Sequence, residues 1–359
     1  MPSHDDRGEP DKLPIGRREA CRRIGMLGSA LIVAGLFAGS KVATHAQSLV
    51  SRSESEALPR RPLGKTGISI PILGLGGGHL LNTSDEEGKR IVQEAIEGGL
   101  TFFDNAWDYY ENRSEAVMGK ALKGHRQEVF LMTKMCTHGR GKKIGLLHLE
   151  QSLRRLGTDY LDLWQIHEVG CDDEPERIFR EGGAIEALAE AKQQGKVRFI
   201  GFTGHKSPAV HLNMLKYDFP FDTCQLPLNV FDATYNSFEQ QVLPELVRRG
   251  IAPIAMKSLC GGKGKPIRQG ILTAEEAMRY TLSLPVSTLV SGIDSREVLR
   301  QNLAIAKRFV PMTQEEMAKL RRRVATYASG GQFEHYKTEP ARSCDQHEIE
   351  RYFGRLEKV

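Results

Sequence analysis

The chain has 359 residues, a formal net charge of +5, and a composition of 40% hydrophobic and 26% charged side chains. That length holds one large core or two smaller ones, and so ordinary a composition excludes a disordered or fibrous chain. The basic excess is slight and no basic block is interleaved with aromatics, which argues against a nucleic-acid partner. Cys21, Cys136, Cys171, Cys224, Cys260 and Cys344 are scattered, without a CxxC or a metal-like Cys/His spacing. Cys136 and His138 lie close, but two ligands do not make a metal site. The cysteines therefore read as mostly buried apolar fillers, without a disulfide framework.

The first 46 residues differ from the rest. A polar start leads to Gly16-Arg17-Arg18-Glu19-Ala20-Cys21-Arg22-Arg23, then to an apolar run from Ile24 to Ala38, then to Thr44-His45-Ala46 as a candidate cleavage site. The run falls short of the roughly 20 residues a membrane span needs, and suits the apolar part of a signal peptide. Arg17-Arg18 resembles a twin-arginine export signal. Residues 1–46 are expected to direct export to the periplasm or outside the cell, with the twin-arginine translocase as a transient partner and no stable span after processing. The alternative is a cytoplasmic protein in which this run is a short buried helix or an uncleaved anchor. Residues 47–59 read as a polar linker.

Two short alternating runs flank Gly64-Lys65-Thr66-Gly67, which is hairpin chemistry because glycine supplies the positive φ of a tight turn. From Ile72 onward, short apolar runs alternate with amphipathic helical patterns. The pairs are 72–76 with 84–97, 101–104 with 114–122, 129–133 with 145–156, 161–166 with 177–194, 198–202 with 208–216, 223–226 with 238–249, 252–256 with 273–284, and 287–291 with 295–308. Parallel strands need crossover helices and bury both faces, so eight such units predict a (β/α)8 TIM barrel over residues 60–327, with an N-terminal β-hairpin and a C-terminal helical extension. A doubly wound open sheet is the competitor, but no GxGxxG follows the first strand. Gln314–Tyr327 is a further helix, and residues 328–359 are a polar, partly helical tail that either covers the barrel mouth or trails from it.

In such a barrel, chemistry gathers at the carboxyl ends of the strands. That rule places Asp104, Lys134, His167, Thr203, Gln225 and Lys257 around one mouth. Lys134 beside Asp104 makes an ion pair that tolerates burial better than either charge alone, and the pair can serve purely as a brace. Tyr109 follows Asp104 on the loop. A phenol ordinarily titrates near 10, and a neighbouring ammonium favours its phenolate, so the three residues make a tuned proton donor. His167 is either a core histidine or a group that donates to a substrate carbonyl or relays its proton. Trp107 and Tyr110 flank Tyr109 and are expected to wall the substrate site or to pack at its rim.

These segments, with the opening Arg61-Pro62-Leu63-Gly64-Lys65-Thr66-Gly67, resemble the aldo-keto reductase superfamily of barrels that reduce carbonyls with NADP(H) or NAD(H). The resemblance runs from about Arg61 to Val324. It implies Tyr109 as general acid, Lys134 and Asp104 as its tuning pair, and His167 orienting the carbonyl. A bound nicotinamide would supply the hydride. On the cofactor side the chain departs from the family pattern. Thr203-Gly204 followed by His205 stands where the family has Ser-Asn, while Gln225 matches the other carboxamide contact. Met256 replaces the stacking aromatic and is followed by Lys257, Ser258 and Leu259; a thioether still packs on a ring face. Gly292 to Asn302 corresponds to the adenosine-phosphate segment, with Ser295 and Arg296 at a helix start that can hold phosphate. Arg296 argues for NADP and Asp294 against it, and Gln301 and Asn302 resemble the adenine contacts. The resemblance implies an NAD(P)H-dependent reductase of a small carbonyl substrate. The alternative is a nicotinamide-binding redox sensor or partner-docking module with little turnover.

Overall fold

The computed structural model describes residues 57–136, 140–261 and 264–341. The expected signal peptide, most of the linker and the end of the tail lie outside the described residues. Among the described residues, ten strands are arranged as a two-stranded antiparallel hairpin and a closed eight-stranded parallel barrel. The hairpin pairs β1 (Arg60–Pro62) with β2 (Ser69–Pro71). Its Leu63 and Ile70 are buried with Phe102, Phe130, Met132, Leu163 and Ile254, so the hairpin plugs the barrel's amino-terminal end. The barrel strands are β3 (Leu73–Gly76), β4 (Phe102–Asp104), β5 (Phe130–Lys134), β6 (Leu161–Ile166), β7 (Val197–Thr203), β8 (Thr223–Pro227), β9 (Ala252–Met256) and β10 (Thr288–Gly292), and β10 closes onto β3.

Outside the barrel run α1 (Asp85–Glu97), α2 (Arg113–Ala121), α3 (Lys142–Leu156), α4 (Glu174–Phe179), α5 (Ala184–Gln193), α6 (Pro208–Lys216), α7 (Phe238–Gln241), α8 (Leu243–Arg249), α9 (Lys265–Arg268), α10 (Ala274–Ser283), α11 (Arg296–Lys307), α12 (Gln314–Ala328) and α13 (His335–Thr338). The expected barrel, its hairpin and its helical extension are all present. Two expected single helices are each divided. Between α4 and α5 the chain passes Gly182 at φ +71° and Gly183, where a Cβ would lie 2.3 Å from the Ile178 carbonyl oxygen. Between α7 and α8 only Val242 intervenes, and Pro244, in the first turn of α8, has no N–H to donate to the preceding turn.

The tail does not simply trail. After α12 the chain reverses through Gly330 and Gly331, both at positive φ, and α13 brings Lys337 into a buried ion pair with Asp232 at 2.6 Å. Glu334 joins at 3.0 Å from Lys337, and Tyr336 donates its hydroxyl to Glu334 at 2.6 Å. The expectation about cysteines needs correction: Cys171 is disulfide-bonded, while Cys136, Cys224 and Cys260 are buried thiols. Spacing along the chain could not reveal this, because a disulfide depends on which loops the fold brings within a few ångströms.

Candidate active site

Strand register brings the expected residues to one rim. Asp104 pairs across β4 and β5 with Met132, Lys134 lies opposite Gln165, and Thr203 opposite Gln225. Asp104 and Lys134 are 3% and 1% exposed. The Lys134 ammonium donates to Asp104 Oδ1 and to the Asn105 carbonyl at 2.8 Å. The other carboxylate oxygen of Asp104 accepts from Gln225 Nε2 at 3.0 Å, a link across the barrel between β4 and β8. Both charges are thus paired and hydrogen-bonded, which is what burial of an ion pair requires.

Tyr109 stands over this pair, with Lys134 Nζ 5.3 Å from its ring centroid. The His167 ring meets it edge-on at 5.6 Å. After Tyr109 the backbone takes three successive left-handed conformations, Tyr110, Glu111 and Asn112, at φ +51°, +53° and +74°. Strain of this kind in non-glycine residues collects at functional sites. On the next loop, Arg140 donates to the His167 carbonyl at 2.7 Å and pairs with Glu174 at 2.6 Å. Glu174 also accepts from the N–H groups of Gly170 and Cys171, at 2.6 and 2.8 Å. Burial pushes the Glu174 carboxyl up, but Arg140 and these two N–H groups outweigh it and hold it below its usual range.

The flanking aromatics have other partners. Trp107, expected to wall the substrate site, is held by α3: its indole N–H donates to Gln151 at 2.7 Å and its ring packs on His148 at 4.5 Å. Tyr110 reaches back to the first loop and donates to Asn82 at 2.6 Å.

On the cofactor side, Gln225 Oε1 is buried and accepts no hydrogen bond among the described residues. A carboxamide N–H is the partner this bare acceptor fits. Gly204 has no room for the family's asparagine, since a Cβ there would lie 2.3 Å from the Val169 carbonyl oxygen and 2.7 Å from His211. His205 faces Glu168 at 3.5 Å and Tyr336 of the tail at 5.7 Å. Lys257, in a left-handed conformation at φ +58°, places its ammonium 5.1 Å from the Tyr336 ring centroid. Met256 and Leu259 are partly buried and Ser258 is buried, beside the same loop. His79, on the loop after β3, is lowered from its usual value by burial and by the Lys257 ammonium, with Asp294 pulling the other way.

Ser295 caps α11, its hydroxyl accepting from the Val298 N–H at 3.2 Å. Gly292, at the end of β10, faces His79, whose Nδ1 would lie 2.5 Å from an added Cβ. The Arg296 guanidinium pairs with Glu87 at 2.7 Å. Asn302 is buried and donates to Ser291 at 3.0 Å, whereas Gln301 is exposed. Reading the sequence alone missed Asp108, Arg140, Glu174 and Tyr336. An acid directly before the tyrosine was visible for Asp108; nothing local marked the other three.

A sequence profile described as the Aldo/keto reductase family matches residues 72–265, more than half of the chain. Aldo-keto reductase YhdN of Bacillus subtilis is 29% identical over 235 residues, covering 61% of this chain and 65% of YhdN, slightly under two thirds of its length. The uncharacterized oxidoreductase YqkF of Bacillus subtilis is 26% identical over 306 residues, covering 73% of this chain and 95% of that protein. Among solved structures, the holo form of aldo-keto reductase AKR11C1 from Bacillus halodurans superposes with a TM-score of 0.63 at 25% identity, covering 74% of this chain and 96% of that one. With the profile match spanning the strands that carry Asp104, Lys134, His167, Thr203, Gln225 and Met256, the chain belongs to the aldo/keto reductase family.

Proposed function

We propose that the protein reduces an aldehyde or ketone to an alcohol with NAD(P)H, the family's reductant, and that Tyr109 is the general acid. The observation that carries this reading is the convergence of Asp104, Lys134, Tyr109 and His167 at one buried rim beside the bare Gln225 acceptor. Gln225 and Thr203 would hold the carboxamide, Met256 would pack on the ring, and Ser295 with the start of α11 would take phosphate. The bound nicotinamide supplies a hydride. The chain does the rest: Tyr109 gives its hydroxyl proton to the carbonyl oxygen, the Lys134 ammonium stabilises the phenolate left behind, and Asp104 keeps that ammonium in place. Burial of the ion pair keeps water from screening it.

The test is a fluorescence titration of NADPH and NADH into protein lacking residues 1–46, followed by carbonyl turnover of Tyr109→Phe. Saturable binding in both proteins, with turnover lost only in the variant, supports the reading; absence of binding by either nucleotide defeats it. We further propose export through the twin-arginine route. The disulfide at Cys171 supports this, since such bonds persist in oxidising compartments. A reporter carrying residues 1–50 should be exported, and Arg17-Arg18 replaced by Lys-Lys should block it; a reporter that stays in the cytoplasm with the unaltered segment rejects the proposal.

A further inference from the structure

We propose that Tyr336, carried by a strap that follows α12, is a positioning residue for Lys257, whose ammonium takes a phosphate of the bound nucleotide, so that the strap sets how slowly the nucleotide leaves. This rests on the reading above as a nicotinamide-dependent enzyme. The strap is residues 333–341. A helix as short as α13 does not hold itself together, so its place is fixed by what it touches. Lys337 is buried and reaches Asp232 at 2.6 Å, Glu334 at 3.0 Å and the Tyr235 carbonyl at 2.8 Å. Lys206 donates to the Glu339 carbonyl, and the Lys265 ammonium lies 5.5 Å from the Phe333 ring centroid. The strap is thereby tied to the segments that follow β7, β8 and β9.

Tyr336 grips the loop after β9 at two points. Its ring centroid lies 5.1 Å from the Lys257 ammonium. Its hydroxyl accepts from Asn229 Nδ2 at 3.1 Å, and Asn229 Oδ1 accepts from the Cys260 thiol at 3.5 Å. Lys257 and Cys260 both take left-handed backbone conformations, at φ +58° and +61°, and a hydrogen bond of 2.8 Å from the Cys260 N–H to the Lys257 carbonyl closes the turn. Two such residues in four make a conformation that the surroundings must hold in place. Tyr336 and Asn229 supply that hold. An aromatic partner also suits a cation that has work to do: a carboxylate would neutralise it, whereas a ring face attracts it and leaves its charge and N–H donors for an anion. The neighbours say which anion. His79 packs against Gly292; burial and then the Lys257 ammonium hold it below its usual value, with Asp294 opposing them. Lys257, His79 and Asp294 therefore share one corner, beside Ser295 and the start of α11. A helix N-terminus attracts phosphate, and Lys257 supplies the positive charge that offsets Asp294 there.

The experiment uses the full chain and reads nucleotide release. Protein loaded with NADPH is mixed in a stopped-flow instrument with excess NADP+, and the loss of nucleotide fluorescence gives the off-rate. Tyr336→Leu should release NADPH about fivefold faster than wild type, the worth of one partly desolvated cation–ring contact. Tyr336→Phe, which keeps the ring and loses the hydroxyl, should be about twofold faster. Lys257→Met should be at least as fast as Tyr336→Leu, and combining the two should add nothing further. Salt should speed release from wild type and do so much less in either variant. Equal acceleration for NADH and NADPH puts the ammonium on the pyrophosphate, and acceleration confined to NADPH puts it on the 2′-phosphate. Without nucleotide, deuterium uptake at residues 257–261 should rise in Tyr336→Leu; unchanged uptake overturns the bracing of the loop. An off-rate that Tyr336→Leu leaves unchanged, or raises as much in the Lys257→Met background as in wild type, overturns the proposal and leaves the reductase reading standing. No binding of either nucleotide to wild type defeats both.

Discussion

Replacing Lys134 with methionine tests whether the buried ion pair is as central as its geometry indicates. The substitution leaves Asp104 at 3% exposure with Gln225 Nε2 as its remaining donor at 3.0 Å. Breaking a buried pair by removing one partner costs about 3–5 kcal/mol, because the surviving charge is uncompensated. With an unfolding entropy of about 2.1 cal/mol/K per residue, a barrel of about 270 residues carries roughly 0.6 kcal/mol/K, so Tm should fall by about 5–9 °C. Neutralising both partners in Lys134→Met with Asp104→Asn should recover at least half of that loss, since a neutral replacement of the whole pair is often tolerated. Thermal and urea unfolding of the two single variants and the double variant give the cycle. Carbonyl turnover should be lost in Lys134→Met while NADPH still binds. A stability loss under about 1 kcal/mol, the range of an exposed pair, or a double variant as unstable as Lys134→Met, would refute the reasoning.

Other expectations follow from single contacts. Glu87→Gln frees Arg296 from its 2.7 Å partner and should tighten NADPH by about two- to fivefold, the worth of one exposed charge pair, without changing NADH; equal effects on both nucleotides would place Arg296 away from the 2′-phosphate. The Asp232 carboxyl is pushed up to about 6, burial outweighing the neighbouring Lys337. A folded-state value raised above the ordinary one means that the fold binds a proton the unfolded chain releases, so this contribution is full below about pH 4 and lost as pH rises through about 6. Unfolding of wild type and Asp232→Asn across pH 4 to 7 should show a declining component in the first that is missing in the second; parallel profiles would reject it. Alkylation of native, non-reduced protein followed by mass mapping should leave Cys171 unlabelled until a reductant is added. The buried Cys224 and Cys260, whose thiols burial pushes up, should label only on unfolding. Rapid labelling of Cys171 in the native state would contradict the disulfide.

How much was legible in the sequence can be seen residue by residue. The period of the apolar runs fixed the barrel, because parallel strands buried on both faces leave a signal in every unit. Once the fold is a barrel, strand ends share one rim whatever the details of packing, so Asp104, Lys134, His167 and Gln225 could be brought together from chain order alone. Boundaries failed where local chemistry overrode the helical pattern, as at Gly182-Gly183 and Pro244. What no periodicity encodes is which distant side chain a given group will meet. Arg296 finds Glu87 across 209 residues, Gln225 finds Asp104 across 121, and Lys337 finds Asp232 across 105. Trp107 finds Gln151 of α3 across 44 residues. Each of these depends on loop conformation and on the rotamer each side chain takes in the packed fold, quantities set by long-range contacts and not by neighbours along the chain. The sequence by itself therefore determined the architecture and the residue types at its rim; the tertiary structure decided which of those residues are committed to one another and which, like Gln225 Oε1, meet no hydrogen-bond donor among the described residues.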